Sequence, residues 1–173
     1  MTGVFVRIKF TPRSWGGSVN KDFMKQAIQL SLDNMRKGAG GPFGSVVVKD
    51  GEVIGAGWNK VTSTNDPTAH AEVVAIREAC SKINSFDLSG AEIYTSCEPC
   101  PMCLSAIYWA RIEKIYYANT RQDAADINFD DDFIYQEIPK EMKDRKVPMF
   151  QCCHDEALTV FKEWQDKQDK VTY

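Results

Sequence analysis

The sequence has no excess of basic residues, which argues against one class of function. Its 173 residues include 21 lysines and arginines against 24 aspartates and glutamates, and the formal net charge is −3. Proteins that bind nucleic acid usually carry a basic stripe that contacts the phosphates. We therefore do not expect nucleic acid to be the main partner, although a small basic patch can exist within an acidic total.

Long apolar runs are also absent. No stretch of about 18 apolar residues occurs, so the sequence predicts no membrane-spanning helix. No secretory signal is recognisable before the six cysteines, so a disulfide framework is not favoured. Because the cysteines cluster around a metal-binding motif, we expect reduced thiols and a cytoplasmic protein.

The composition indicates a single domain. Hydrophobic residues make up 43% of the chain and aromatic residues 11%, which is enough for one well-filled core. We predict an N-terminal extension at residues 1–20 and one domain at residues 21–173. The extension is basic and faintly resembles a transit peptide, but its residues 5–10 fit a short strand or a disordered segment better.

Histidine is scarce, and one of the two histidines lies in the most informative motif. The tripeptide H-A-E at residues 70–72 is followed by P-C-P-M-C at residues 99–103. Imidazole and thiolate groups are good zinc ligands, and three protein ligands leave a fourth position open for water. The spacing H-x-E…P-C-x-x-C is typical of zinc-dependent nucleobase deaminases. We predict one catalytic Zn²⁺ per chain, bound by His70, Cys100 and Cys103.

The residues around these ligands suit the same chemistry. Glu72 lies two positions after His70 on a predicted helix, so it points elsewhere and can move protons instead of binding the metal. Cys100 and Cys103 lie on one face of a helical turn. Pro101 suits the first helical position, and the helix N-terminus favours the thiolate form of both cysteines.

Other interpretations of the cysteines remain open. Cys97 forms a second, overlapping C-x-x-C pair with Cys100, but the prolines place the later pair at a helix start. A redox pair would not carry H-x-E upstream. A structural zinc site needs a fourth ligand, and it has no use for the carboxylate of Glu72. Candidates for that ligand are His154, which we expect at the surface or as a helix cap, and Cys80, Cys97, Cys152 and Cys153.

Hydrophobic periodicity predicts alternating helices and strands. Helices are predicted at residues 21–37, 70–83, 100–110 and 155–167, and strands at residues 43–49, 52–58, 91–96, 114–118 and 149–152. Asp50-Gly51 is a strong hairpin signal between the first two strands. The metal ligands fall at two helix N-termini that follow strand ends, where open α/β sheets place their sites.

In five segments the chain resembles the small bacterial guanine deaminases of the cytidine-deaminase-like superfamily. These segments are G-G-P-F-G at 40–44, N-D-P-T-A-H-A-E at 65–72, T-S-C-E-P-C-P-M-C at 95–103, I-Y-W-A-R at 107–111 and F-D-D-D-F-I-Y at 129–135. The first three are shared across the superfamily. The last segment and the terminal Tyr173 resemble guanine deaminases specifically. The resemblance implies a three-layer α/β/α sandwich with a central mixed five-stranded sheet.

The resemblance also implies a reaction, the hydrolysis of guanine to xanthine and ammonia in purine catabolism or salvage. Water activated at zinc would attack C2 of guanine, and Glu72 would carry its proton to a ring nitrogen and then to the leaving amine. Asp131 would bind the N–H edge of the base and could shuttle a second proton. The residues alone leave open which carboxylate of residues 130–132 turns inward. The other implied substrate contacts are Phe43, Asn59, the backbone N–H of Ala71, Trp109 and Tyr173.

The implied partners are a small-molecule nucleobase and a second copy of the chain. In such a homodimer, residues 139–173 would be exchanged between protomers and would help to close the partner's active site. Three alternatives remain. The first is a tRNA-specific adenosine deaminase, which would need a basic face for the phosphates. The second is another free-base or nucleoside deaminase, and the third is a non-catalytic zinc-binding interaction module.

Overall fold

The computed structural model describes residues 19–172, so residues 1–18 of the predicted extension lie outside it. Helix α1 (Lys21–Arg36) begins after Asn20, whose side chain accepts a hydrogen bond from the backbone N–H of Asp22. The elements that follow are β1 (Gly44–Lys49), β2 (Glu52–Trp58), α2 (Val61–Thr64), α3 (Ala71–Ile83), β3 (Glu92–Cys97), α4 (Pro101–Trp109), β4 (Lys114–Asn119) and α5 (Arg121–Asp126).

The strands form one mixed sheet in the order β2-β1-β3-β4. Strand β1 runs antiparallel to both β2 and β3, whereas β3 and β4 are parallel. The β1–β2 hairpin turns at Asp50 and Gly51, which both have positive φ angles (52° and 80°), as a two-residue hairpin turn requires. This is the hairpin that the sequence predicts.

Helices cover both faces of the sheet, which confirms the predicted three-layer α/β/α architecture. Successive residues of β1 point to opposite faces. Val47 belongs to a core with residues of α3 and α4, and Val46 and Val48 belong to a second core beneath α1. Because β1 is buried on both faces, it forms the rigid centre on which the surrounding elements are placed.

The prediction of a fifth strand in the sheet is wrong. Within residues 19–172 the sheet has four strands, and residues 149–152 adopt irregular backbone. An apolar, β-prone segment shows only that a strand can form, whereas a strand also needs a neighbouring edge with matching register. The described chain supplies no such partner for these residues.

Residues 132–172 form a separate compact unit. It contains α6 (Asp132–Glu137), a 3₁₀ turn (Met142–Asp144) and α7 (His154–Asp166). The Arg145 guanidinium donates to the carbonyl oxygens of Ile138 and Lys140 and so fastens the loop between the turn and α6. No residue from 132 to 172 is buried, so this unit has no core of its own. Among the described helices, none combines the length and apolarity that crossing a membrane requires.

Candidate active site and metal centre

A hydrogen-bonded loop holds His70 at the start of α3. The Asp66 carboxylate accepts from the backbone N–H and the hydroxyl of Thr68, at 2.8 and 2.6 Å. The His70 N–H then donates to the Thr68 carbonyl at 2.8 Å. His70 itself is the N-cap residue, with extended backbone (φ −69°, ψ 155°). Its imidazole therefore lies at the positive end of the α3 dipole.

The two cysteines lie at the start of α4 as the sequence predicts. Cys100 is the N-cap residue and Pro101 occupies the first helical turn. The Cys103 side chain lies one turn further on and is fully buried. Both thiols therefore lie at a helix N-terminus, which favours negative charge on sulfur.

The three ligand atoms meet in a geometry that fits zinc. His70 Nδ1 lies 3.6 Å from Cys100 Sγ and 3.5 Å from Cys103 Sγ, and all three atoms lie within 4.8 Å of one another. Tetrahedral zinc with ordinary Zn–S and Zn–N bonds would hold sulfur and nitrogen about 3.6 Å apart. Among residues 19–172 the cluster has no fourth protein ligand. An open three-ligand set of this kind is typical of catalytic zinc, not of structural zinc.

The Cys100 and Cys103 thiols shift each other's pKa in opposite directions. Hydrogen bonds from the Cys103 thiol and from His70 lower the pKa of Cys100 to about 4. The same contact with Cys100, together with burial, raises the pKa of Cys103. A metal ion bound by both sulfurs would require both thiols to lose their protons.

Cys97 is not part of this group. Its thiol donates to the Thr120 carbonyl at 3.5 Å, and burial raises its pKa to about 11. Its sulfur does not belong to the group of ligand atoms that lie within 4.8 Å of one another. The overlapping C-x-x-C pair is thus resolved in favour of Cys100 and Cys103, whose sulfurs converge with His70.

Glu72 is buried beside the metal ligands. Its side chain is only 6% exposed, and burial raises the pKa of its carboxyl group. Oε1 accepts from the Thr95 hydroxyl at 3.2 Å, and Oε2 accepts from the Cys103 thiol at 3.4 Å. A buried carboxyl group with a raised pKa, next to a metal site, is suited to taking up and releasing protons.

Asn59 is oriented by the backbone around it. Its Oδ1 accepts from the N–H groups of Gly41 (3.3 Å) and Val61 (3.2 Å), so the NH₂ group faces the other way. A Cβ on Gly40 would lie 1.7 Å from the Asn59 carbonyl oxygen, so only glycine fits this close approach. The Gly40-Gly41 turn therefore holds a buried amide donor at the end of β2.

Phe43 and Asp131 lie on segments that an aromatic contact connects. The ring of Phe43 packs edge-on against Phe129, with 5.0 Å between centroids and an interplanar angle of 88°. Asp131, two residues after Phe129, is half-buried. Burial is the main cause that raises the pKa of its carboxyl group, and the charge of Cys100 raises it further. The Asp131 carboxyl group is therefore close enough to Cys100 to interact with its charge.

The remaining predicted contact residues differ in their placement. Ala71 is buried as the first residue of α3, where its N–H has no carbonyl partner within the helix. Trp109 ends α4, two turns beyond Pro101, and is 60% exposed. Tyr173 lies outside the described residues. His154 is exposed at the start of α7, which agrees with the expected surface position.

Two features of the site were not predicted from the sequence. Thr95 contacts Glu72 only because β3 brings it under α3, and no local motif signals this. Helix α5 begins with a capping box in which Thr120 and Asp123 bond each other's backbone N–H groups. The T-x-x-D pattern is close to the known capping signature and would have revealed that helix.

The chain is similar to characterised zinc deaminases in sequence and structure. Residues 18–119 match the family described as the cytidine and deoxycytidylate deaminase zinc-binding region. Guanine deaminase of Bacillus subtilis (strain 168) is 49% identical over 154 residues, which cover 89% of this chain and 99% of that protein. The X-ray structure of guanine deaminase from Bacillus subtilis has a TM-score of 0.87 at 48% identity, over 90% of this chain and 99% of the other.

A second group of relatives matches a smaller part of the chain. The tRNA-specific adenosine deaminase of Aquifex aeolicus (strain VF5) is 43% identical over 96 residues, which are 56% of this chain and 63% of that protein. The likeness to a guanine deaminase therefore extends over far more of the chain. The protein belongs to the cytidine and deoxycytidylate deaminase family of zinc-binding proteins, and its predicted resemblance to the guanine deaminases of that family is confirmed over most of its length.

Proposed function

We propose that the protein hydrolyses guanine to xanthine and ammonia at the site formed by His70, Cys100 and Cys103. The observation that carries the proposal is an open three-ligand cluster with the buried carboxyl group of Glu72 directly beside it. The chain that holds this cluster is similar to a guanine deaminase over 89% of its own length. Both the chemistry of the site and the extent of the similarity favour this reaction.

The residues divide the chemistry between them. Bound zinc would lower the pKa of a water molecule so that a nucleophile exists at neutral pH. Glu72 would take the first proton from that water and deliver it to a ring nitrogen, and would then pass the remaining hydroxyl proton to the leaving amine as the carbonyl group forms. Because Glu72 is buried, its contact with bulk water during the transfer is limited.

Guanine presents a pattern of donors and acceptors that the surrounding residues complement. Its N1–H and 2-amino groups are adjacent donors, which a carboxylate accepts with two oxygens. Asp131 is a half-buried carboxyl group whose charge interacts with Cys100. The carbonyl and ring nitrogens of guanine are acceptors, which suit the NH₂ group of Asn59 and the N–H of Ala71. Phe43 supplies an aromatic surface for the planar base.

The tRNA-specific adenosine deaminases are the second candidate group, and the chain favours them less. Their similarity covers about half of this chain, as the 56% match to the Aquifex protein shows. A tRNA substrate also requires a positive surface for its phosphates, whereas this chain has a net charge of −3. A guanine substrate is compatible with the negative net charge of the chain. It also agrees with the similarity to a guanine deaminase, which extends beyond the zinc-binding region.

A substrate panel tests the proposal directly. Ammonia release is measured with guanine, adenine, cytosine, their nucleosides and a tRNA anticodon hairpin, using protein of known zinc content. We expect guanine to be turned over at least about tenfold more efficiently than any other compound, because its N–H edge pairs with Asp131. The same measurement on zinc-depleted protein gives the matched control. Ammonia from the hairpin but not from guanine would overturn the proposal.

We infer further that the protein is a homodimer in which residues 139–173 pack on the partner subunit. The support is the apolar surface of α7, where Val160 is 64%, Phe161 70% and Trp164 42% exposed. Such a surface is rarely left in water, and a unit without a core of its own needs another surface to cover it. Exchange of an identical segment is a simple route to a dimer. Tyr173 would then reach the partner's base-binding site.

The location of the enzyme is inferred from its cysteines. All six are free thiols, and two of them, Cys152 and Cys153, are exposed. Exposed adjacent thiols persist in reducing compartments, so we infer a cytoplasmic enzyme. Fractionation of cells that express the protein without a fused signal tests this inference.

A further inference from the structure

Thr95 is a buried hydroxyl residue that the reaction described above does not use. It lies in β3, where its backbone pairs with Ser45 of β1 on one side and Tyr117 of β4 on the other. Only 1% of the residue is exposed. Its Oγ1 donates a hydrogen bond to Glu72 Oε1 at 3.2 Å. The Thr95 hydroxyl group, in the middle of the sheet, is therefore hydrogen-bonded to the Glu72 carboxyl group that is proposed to move protons.

The two oxygens of Glu72 have different surroundings. Oε1 faces the Thr95 hydroxyl, and Oε2 faces the Cys103 sulfur at 3.4 Å. Once Cys103 binds a metal ion as a thiolate, it has no proton to donate. Glu72 also receives a hydrogen bond from its own backbone N–H, but Thr95 is the donor that another element of the fold supplies. The hydroxyl therefore distinguishes Oε1 from Oε2.

We propose that Thr95 is a positioning residue that holds Glu72 with Oε2 directed at the metal site, so that this oxygen exchanges the protons. The inference rests on the proposed deaminase activity but not on the identity of the base. Thr95 suits the task because a β-branched side chain is stiff about χ1. Its backbone is fixed by strand pairing on both sides. Small displacements of a catalytic group reduce rates strongly, so fixing the carboxylate matters for turnover.

Substitution of Thr95 by valine and by serine separates positioning from packing. Valine keeps the shape and removes the hydroxyl, whereas serine keeps the hydroxyl and removes the methyl group. We expect T95V to lower kcat by about 10- to 100-fold with KM within about twofold of wild type and zinc content unchanged. T95S should retain kcat within about threefold of wild type. If valine does not fold, T95A takes its place with the same expectation.

Ser45 provides the matched control. It is fully buried, pairs with Thr95 across the β1–β3 ladder, and donates its hydroxyl to the Tyr94 carbonyl instead of to Glu72. S45A therefore removes a buried hydroxyl from the same part of the sheet, and its kcat should stay close to wild type. If T95V lowers kcat no more than S45A does, or if T95S is as slow as T95V, the proposal is wrong.

A second readout does not depend on turnover. Denaturant unfolding of the zinc-loaded protein is measured for T95V, E72A and the double variant, because alanine removes the oxygen that accepts from Thr95. If Thr95 acts through Glu72, the two changes in unfolding free energy are not additive, because the second change removes a bond already lost. Additive changes overturn the inference. Should wild type release no ammonia from guanine, the proposed substrate fails, while non-additive unfolding energies would still support the contact between Thr95 and Glu72.

Discussion

Among single residues, the overlapping cysteine pairs give the clearest test of the metal site. Replacing Cys100 or Cys103 by alanine removes a ligand from a three-ligand set, so bound zinc should fall from about one per chain to near zero. Cys97→Ala is the control, because that thiol bonds the Thr120 carbonyl and not the cluster. Metal analysis after gel filtration measures both. Loss of zinc from the Cys97 variant, with retention in the Cys100 variant, would contradict the assignment.

Glu72→Gln separates proton transfer from metal binding. The amide keeps the size of the side chain and lacks the ability to carry a proton, so kcat should fall by about 10²- to 10⁴-fold. Zinc content should be unchanged, because Glu72 is not one of the three ligands. Steady-state ammonia release and metal analysis on the same preparation provide the measurement. A variant that keeps more than about a tenth of the wild-type kcat would exclude Glu72 as the proton carrier.

Asp131→Asn tests how the base is recognised. An amide in place of the carboxylate presents its own N–H groups to the N–H edge of guanine, at a cost of roughly 1–3 kcal/mol. The corresponding fall in kcat/KM for guanine is about 5- to 150-fold, with zinc retained. The neighbouring Asp130 is exposed, so Asp130→Asn is the matched control and should stay near wild type. The opposite ranking would show that Asp130 is the carboxylate that binds the base.

How much of the site the sequence could predict depends on how local each interaction is. His70, Cys100 and Cys103 were predictable because a short motif at each of two helix starts determines the ligand type and its position. Thr95 was not predictable, because its contact with Glu72 depends on which strand lies beneath α3. No motif in the sequence marks the contact between Thr95 of β3 and Glu72 of α3. Positioning residues are therefore found only once the sheet order is known.

How well each secondary structure element could be predicted also depends on whether its signals lie within its own segment or elsewhere in the chain. The four strands β1 to β4 and helices α1, α3, α4 and α7 differ from the predicted ranges by at most one residue at either end. Their apolar periodicity, caps and turn residues all lie within the segments themselves. The predicted strand at residues 149–152 failed because a strand also requires an edge to pair with.

The packing of α3 on β2 places His70 and is itself testable. A Cβ on Gly57 would lie 2.3 Å from the Ala71 carbonyl oxygen, so Gly57→Ala must push the start of α3 away from the sheet. We expect a loss of about 1–3 kcal/mol in unfolding free energy and weaker zinc binding, because His70 directly precedes Ala71. Denaturant unfolding and zinc titration measure the two effects.

Gly51→Ala is the control for that substitution. Gly51 has a positive φ of 80° but open space around its Cβ position. Alanine there should cost about 1–2 kcal/mol of backbone strain and leave zinc affinity unchanged, because the hairpin turn is remote from the ligands. Equal zinc affinities in wild type and Gly57→Ala would show that the approach of α3 to β2 does not position His70.

At the scale of the whole molecule, the proposed dimer can be tested from the exposed apolar side chains of residues 132–172. A folded segment gains stability by burying apolar side chains, yet Phe161 is 70% and Phe150 88% exposed. Residues 132–172 contain no buried residue that could compensate. We therefore expect the protein to sediment as a dimer, with the apolar side of α7 covered by the second copy.

Mixing two inactive chains tests whether the tails are exchanged. Truncation after Gln168 removes the terminal residues, including Tyr173, and should abolish most activity while α7 (His154–Asp166) and the dimer persist. Glu72→Gln inactivates the second chain but leaves its tail intact. With exchanged tails, one site of each heterodimer combines an intact Glu72 with an intact tail. Random co-refolding should then restore roughly a quarter of wild-type activity.

The same mixture distinguishes exchange from a tail that folds back on its own chain. Without exchange, each site in the heterodimer lacks either Glu72 or its tail, and no activity returns. Co-refolded wild type sets the upper limit, and the truncated chain refolded alone sets the lower one. Activity that stays at the lower limit while heterodimers are present would contradict exchange. Full activity of the truncated chain would show instead that the terminal residues do not close the site.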